Sequence, residues 1–154
     1  MKPDLRYWDA CCFIGWLKGE EDKKPSCGPI IEAACAGRII IVTSALTLAE
    51  AFKLKGLEPV AEKDRDKLQQ FFKNEYIRVQ NVDRFIAESA ANLLFSYPVL
   101  KPKDSIHLAT ALRLKIPAFD TFDTELIKLA GHFASENIVI GCPSIQFQSN
   151  LPFS

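Results

Sequence analysis

With 154 residues, 48% of them hydrophobic, the chain is the size of one ordinary domain and can bury a core without help from disulfides or a structural metal. Lys plus Arg and Asp plus Glu both number 19, so no net field draws a polyanion, and any such attraction must come from local clusters of bases. The five cysteines are odd in number and form no CxxC or Cys/His spacing of the zinc-binding kind, which argues against a disulfide framework and fits a reducing cytoplasm.

In chain order, short apolar runs alternate with segments of helical period, the pattern of an α/β domain with a mostly parallel sheet of four or five strands. The first strand is expected over Leu5 to Asp9, followed by Cys12, Phe13, Trp16 and Leu17 at helical spacing. A short helix from Pro29 to Ala36 ends at Gly37, and Ile39 to Val42 is apolar on both faces, as a central parallel strand must be. After Ser44 a helix is expected to about Lys55, where Gly56 and Pro59 break it, and a charged helix follows from Glu62 to Asn74. A third strand, Tyr76 to Val79, leads through Asn81 and Asp83 into a long helix carrying Ile86, Ala90, Leu93 and Leu94. Pro102 opens a helix reaching Leu114. The fourth strand, Ala118 to Asp120, feeds a helix over Thr124 to Ala130, and a last strand spans Ile138 to Ile140 before an irregular tail. The expected organisation is a single domain over residues 1–154 with its core at about 5–140. No apolar run approaches the roughly 18 to 20 residues that span a bilayer, so neither a signal peptide nor an anchor is expected.

Four carboxylates fall where chemistry could use them. Asp9 closes the first strand, Glu50 lies in the helix after the second, Asp104 is in the first turn of the helix opened by Pro102, and Asp123 follows the fourth strand. In an open parallel sheet the carboxyl ends of the strands share one edge, and ligands bind there at a switch in strand order. All four acids can converge on that edge. Taken singly, each has a structural explanation: Asp9 and Asp123 as helix caps, Glu50 as the end of a Thr47-x-x-Glu50 capping box, Asp104 as a partner of the helix dipole. A dipole contributes only about 0.3 to 1 kcal/mol, whereas two carboxylates some 5 Å apart repel by about 3 kcal/mol at an effective dielectric near 20. A convergent cluster therefore calls for a neutralising cation. Mg²⁺ and Mn²⁺, which favour oxygen ligands and keep several waters, suit that role and can activate a water against a phosphodiester.

The segments Tyr7 to Ile14, Val42 to Glu50, Lys103 to Ala111 and Asp120 to Asp123 resemble the four signature blocks of PIN domains, in family order and across nearly the whole chain, with the VapC-like toxin ribonucleases the nearest group. The resemblance implies a three-layer α/β/α sandwich and a metal-dependent endoribonuclease in which Asp9, Glu50, Asp104 and Asp123 ligate Mg²⁺ or Mn²⁺. It also implies a homodimer and, for the toxin group, a cognate antitoxin. The chain departs from the usual pattern after Asp9, where Ala10 and Cys11 replace a hydroxyl residue and a polar one. Other readings of the same residues are an RNA-processing nuclease without an antitoxin and a non-catalytic interaction module of the same fold. A phosphohydrolase of the haloacid-dehalogenase type would need a second acid where Cys11 stands.

Around these acids, Thr121 is expected to orient a carboxylate, Ser44 to serve either the site or the helix start, and Asp120 to lie in an outer shell. His107, three residues after Asp104, is either a contact to phosphate or proton carrier, or a satisfied helix histidine. Cys11 reads as a small buried hydrophobe. Lys53 and Lys55 after Glu50, and Lys101 and Lys103 before Asp104, are candidates for tracking an RNA backbone.

Overall fold

A computed structural model of the chain describes residues 2–52 and 61–145. Five strands form one all-parallel sheet in the order β3-β2-β1-β4-β5: β1 (Asp4–Trp8), β2 (Ile39–Ser44), β3 (Ile77–Gln80), β4 (Ala118–Asp120) and β5 (Val139–Gly141). The chain first winds outward from β1 through β2 to β3, then returns past β1 to lay down β4 and β5. The switch in strand order therefore falls between β1 and β4, which pair through Arg6 with Ala118, Tyr7 with Phe119 and Trp8 with Asp120.

The helices cover both faces. α1 (Ala10–Leu17) and α2 (Lys24–Cys35) pack over Trp8 and Ile41 through Phe13, Cys27 and Ile30, with Phe72 at the end of α4 (Glu62–Phe71) joining them. On the other face α6 (Pro102–Arg113) seats Leu108 and Ala111 against Tyr7, Val42 and Phe119. α5 (Arg84–Ser96) packs on α6 through Ile86 and Ala90, while a short α7 (Thr124–Ile127) and a 3₁₀ segment (Ala130–Glu136) lead into β5. The alternation along β1 sends Tyr7 to one layer and Arg6 and Trp8 to the other, as the pleat requires. α3 (Ala45–Phe52) carries Glu50.

Most element boundaries agree with the sequence expectation to within a residue or two. The helix expected from Pro29 instead begins at Lys24, with Pro25 in its first turn and Pro29 inside it. The expected helix over Thr124 to Ala130 shortens to one turn and passes into the 3₁₀ segment. Gly37, at φ +82, supplies the left-handed turn after α2 that an L side chain resists. Phe13 and Phe72 are buried, and Phe85 and Phe95 on α5 are exposed.

Candidate metal centre at the strand switch

At the carboxyl edge between β1 and β4 lies a cavity of about 460 Å³ lined by Asp9, Glu50, Asp104 and Asp123, together with Lys23 and Lys103. The four acids come from four separate segments, and the fold brings them together. Asp9 occupies the N-cap position of α1 in extended conformation yet makes no side-chain cap bond. Its carboxylate is held from both sides instead: Thr121 donates to Oδ2 at 2.6 Å, and the Cys11 thiol donates to Oδ1 at 2.7 Å. Burial first, and the neighbouring Cys11 next, raise the Asp9 carboxyl well above the usual carboxylate range. Cys11 moves the other way: hydrogen bonding with Cys12, Asp9 and the Phe122 N–H outweighs burial and lowers its thiol to about 6. Cys11 is half-buried on the cavity wall and hydrogen-bonded, not the inert hydrophobe its sequence context suggests.

Glu50 is fixed by a buried relay. Its Oε1 lies 2.7 Å from Nε2 of His107, whose Nδ1 lies 2.6 Å from the hydroxyl of Tyr7. Burial, and then Asp9, raise the Tyr7 phenol well above its ordinary value, so it stays protonated and donates to Nδ1. Nε2 then carries the hydrogen and donates to Glu50, an assignment made from the hydrogen-bond network. With both ring nitrogens engaged and the side chain 1% exposed, His107 orients a carboxylate and is not a free contact for phosphate. The Thr47-x-x-Glu50 capping box is not formed. Ser44 starts α3, its hydroxyl accepting the Leu46 N–H at 3.1 Å, and Thr47 bonds Thr43 at 2.7 Å from inside the helix.

Asp104, buried in the first turn of α6, has its carboxyl raised by burial first and by Asp123 next, with Lys103 opposing. Asp123 caps α7, accepting the Glu125 N–H at 2.8 Å through Oδ1 alone, while its own N–H donates to Thr121 Oγ1 at 3.0 Å. Thr121 thereby joins two of the acids. Asp120, placed by the sequence in an outer shell of this site, turns away from it. Its carboxylate takes two bonds from Arg6, at 2.6 and 2.8 Å, and one from the Trp8 indole at 2.9 Å, and it does not line the cavity. The pleat is the reason: Asp120 pairs in register with Trp8 and points to the same layer.

Of the lysines, Lys103 lines the cavity, with Nζ 3.9 Å from Glu50 Oε2. Lys101 is exposed at the N-cap of α6 and does not line it, and Lys53 and Lys55 lie outside the described residues. Lys23, missed in the sequence, also lines the cavity, bonded to Glu20 at 2.9 Å and 5.5 Å above the Phe122 ring. The signal for it was Gly15: a Cβ there would come within 2.7 Å of Lys23 Cδ, so the bare glycine lets the lysine lie across α1.

The donor set fits a hard divalent cation. Asp9, Asp104, Asp123 and Glu50 offer carboxylate oxygens, and each Asp9 oxygen, already accepting one hydrogen bond, keeps a lone pair for a metal. Among the described residues the group whose potential ligand atoms all lie within 4.8 Å of one another is Asp9, Cys11 and Cys12, while the four acids line the cavity at wider spacing.

Fold and cavity together define a class, parallel α/β proteins that gather carboxylates where the strand order switches. The chain belongs to the PIN domain family, whose model matches residues 6–132. Two solved structures share the fold. A toxin-antitoxin complex from Klebsiella pneumoniae superposes with a TM-score of 0.58 at 23% identity, over 82% of this chain and 91% of that one. The Mycobacterium tuberculosis toxin VapC20, described as cleaving the sarcin-ricin loop, superposes with a TM-score of 0.63 at 15% identity, over 87% of this chain and 96% of that one. No curated protein sequence matches the chain. Among the described residues no helix is long and apolar enough to cross a membrane.

Proposed function

We propose that this chain is a divalent-metal-dependent endoribonuclease and the toxin of a toxin-antitoxin pair. The observation that carries the reading is the lining of one cavity by Asp9, Glu50, Asp104 and Asp123, drawn together from four segments of the chain. Membership of the PIN domain family and likeness to a chain of a toxin-antitoxin complex and to a solved toxin support the same reading. The proposal extends to RNA as substrate, an antitoxin protein as partner, a homodimer as the assembly and the cytoplasm as the compartment.

Asp9, Asp104, Asp123 and Glu50, which line one cavity, would hold Mg²⁺ or Mn²⁺. When bound, such an ion supplies a Lewis acid for the phosphate and lowers the pKa of a water it holds. The chain's own residues do the rest. Thr121 keeps Asp9 in place and shares a hydrogen bond with the Asp123 backbone. Tyr7 and His107 hold Glu50 in one orientation, where it can accept a proton from an attacking water. Lys103 and Lys23 bring positive charge to the wall, where an RNA phosphate would lie, and hydrolysis of the P–O bond leaves a phosphate end and a free hydroxyl on the two fragments.

The test is cleavage of single-stranded RNA in Mn²⁺ or Mg²⁺ by the parent and by Asp104→Asn. The change removes a ligand charge without altering side-chain size, and cleavage is expected to fall by more than the 10- to 100-fold, approximately, that loss of an outer-shell partner costs. Equal cleavage by both forms would refute the assignment.

A further inference from the structure

We propose that Cys11 is itself a ligand of the ion held in this cavity, making the centre a mixed oxygen and sulfur site that prefers softer divalent ions to Mg²⁺. The inference rests on the metal-centre reading above and goes beyond it by assigning a donor and a selectivity.

The Cys11 sulfur is on the cavity wall, 2.7 Å from Asp9 Oδ1, 3.4 Å from the Phe122 backbone N–H and 3.6 Å from Thr121 Oγ1. The Phe122 N–H donates to the sulfur, which sits in the first turn of α1. Typical ligand distances are about 2.3 Å for sulfur and about 2.1 Å for carboxylate oxygen on a zinc-like ion. At the tetrahedral angle two such ligands stand about 3.6 Å apart, so Cys11, now 2.7 Å from Asp9 Oδ1, could share one ion with it once the thiol swings outward by about 1 Å. Cys12 cannot replace it. Although within 4.8 Å of the same group, it is fully buried, turned to the Asp120 carbonyl at 3.3 Å, and is absent from the cavity lining.

Ligation exchanges one bond for another with no change of oxidation state. The S–H bond breaks, its proton leaves to solvent, and the sulfur pair binds the ion. Thiolate donors suit Zn²⁺ and poorly suit Mg²⁺, which demands oxygen.

The experiment uses the full chain with the exposed Cys35 and Cys142 changed to Ser, so that the remaining thiols besides Cys11 are the buried Cys12 and Cys27. Titration with Co²⁺ is followed by the near-ultraviolet sulfur-to-metal charge-transfer band, in this form and with Cys11→Ser or Cys11→Ala added; circular dichroism verifies folding, and Mn²⁺ binding is read separately by electron paramagnetic resonance. The expected result is a band saturating at one ion per chain, lost in both Cys11 variants, while Mn²⁺ still binds all three proteins. Zn²⁺ should displace Mn²⁺ far more readily than Mg²⁺ does, and that preference should shrink about tenfold without the thiol, as for loss of one soft ligand. Co²⁺ binding without a band, or a band that survives in the variants, overturns the role of Cys11 and leaves the metal centre standing. Failure of every form to bind Mn²⁺ or Co²⁺ overturns both.

Discussion

Asp120 and Asp123 leave the same strand end three residues apart, and the chain treats them differently. Asp120 goes to the layer under α1 and α2, where the Arg6 guanidinium and the Trp8 indole satisfy it with three hydrogen bonds. Burial raises its carboxyl, and Arg6 is the principal opposing influence. Asp123 joins Asp9, Glu50 and Asp104 around a cavity whose two lysines are Lys103, with a side chain 56% exposed, and Lys23, which is paired with Glu20. The first region contains its own counter-charge. The second gathers more negative charge than its neighbours neutralise, which is tolerable in a site that an ion fills and wasteful in one that exists for stability. The contrast separates acids with a built-in counter-charge from acids that lack one, which neither residue type nor position in the strand can do.

The largest expected effect on stability belongs to the first region. Asp120→Asn strands the Arg6 guanidinium and should cost about 3 kcal/mol, a fall of about 6 to 12 °C in Tm for a chain of this size, without changing Mn²⁺ binding. Calorimetric melting and a metal titration check both halves, and lost Mn²⁺ binding would erase the distinction between the regions. Next is His107→Gln, which removes the ring linking Tyr7 to Glu50. It should reduce RNA cleavage about 10- to 100-fold, while the mainly structural alternative predicts lower Tm with unchanged cleavage per folded chain. The smallest effect is on pH dependence. Because Asp9 and Asp104 have raised carboxyl pKa values in the folded chain, the native state binds protons more tightly there than the unfolded state does. Their contribution therefore destabilises the metal-free protein as pH rises from about 4 through the raised values. Mn²⁺ should flatten that fall, as urea denaturation across the range would show. Asp120 titrates alike in both conditions and cancels in the difference.

Much of this frame is legible in the sequence because it is written in periodicity. The run Ile39 to Val42, apolar on both faces, and the alternation of strands with helical segments dictate a parallel sheet, and a parallel sheet puts the residues after β1 and β4 on one edge. The candidate acids are legible for that reason. What escaped depends on contacts between distant residues that leave no local pattern. Nothing near Asp120 indicates that Arg6 will meet it across 114 positions, although the shared parity of Trp8 and Asp120 in the register determines the layer both enter. Nothing near His107 announces Tyr7, 100 residues away. Lys23 was hidden in a mixed-charge stretch, and Cys11 reads as apolar until its thiol is seen against Asp9.

The central claim is that the cavity acids are held in readiness for a divalent ion, and the melting temperature with and without Mn²⁺ tests it most directly. At about a hundredfold over its dissociation constant, Mn²⁺ should stabilise the parent by about 2.7 kcal/mol, raising Tm by about 5 to 10 °C, with the gain retained in Asp120→Asn and lost in Asp104→Asn. An equal gain in Asp104→Asn, or none in the parent at saturating Mn²⁺, would contradict the account.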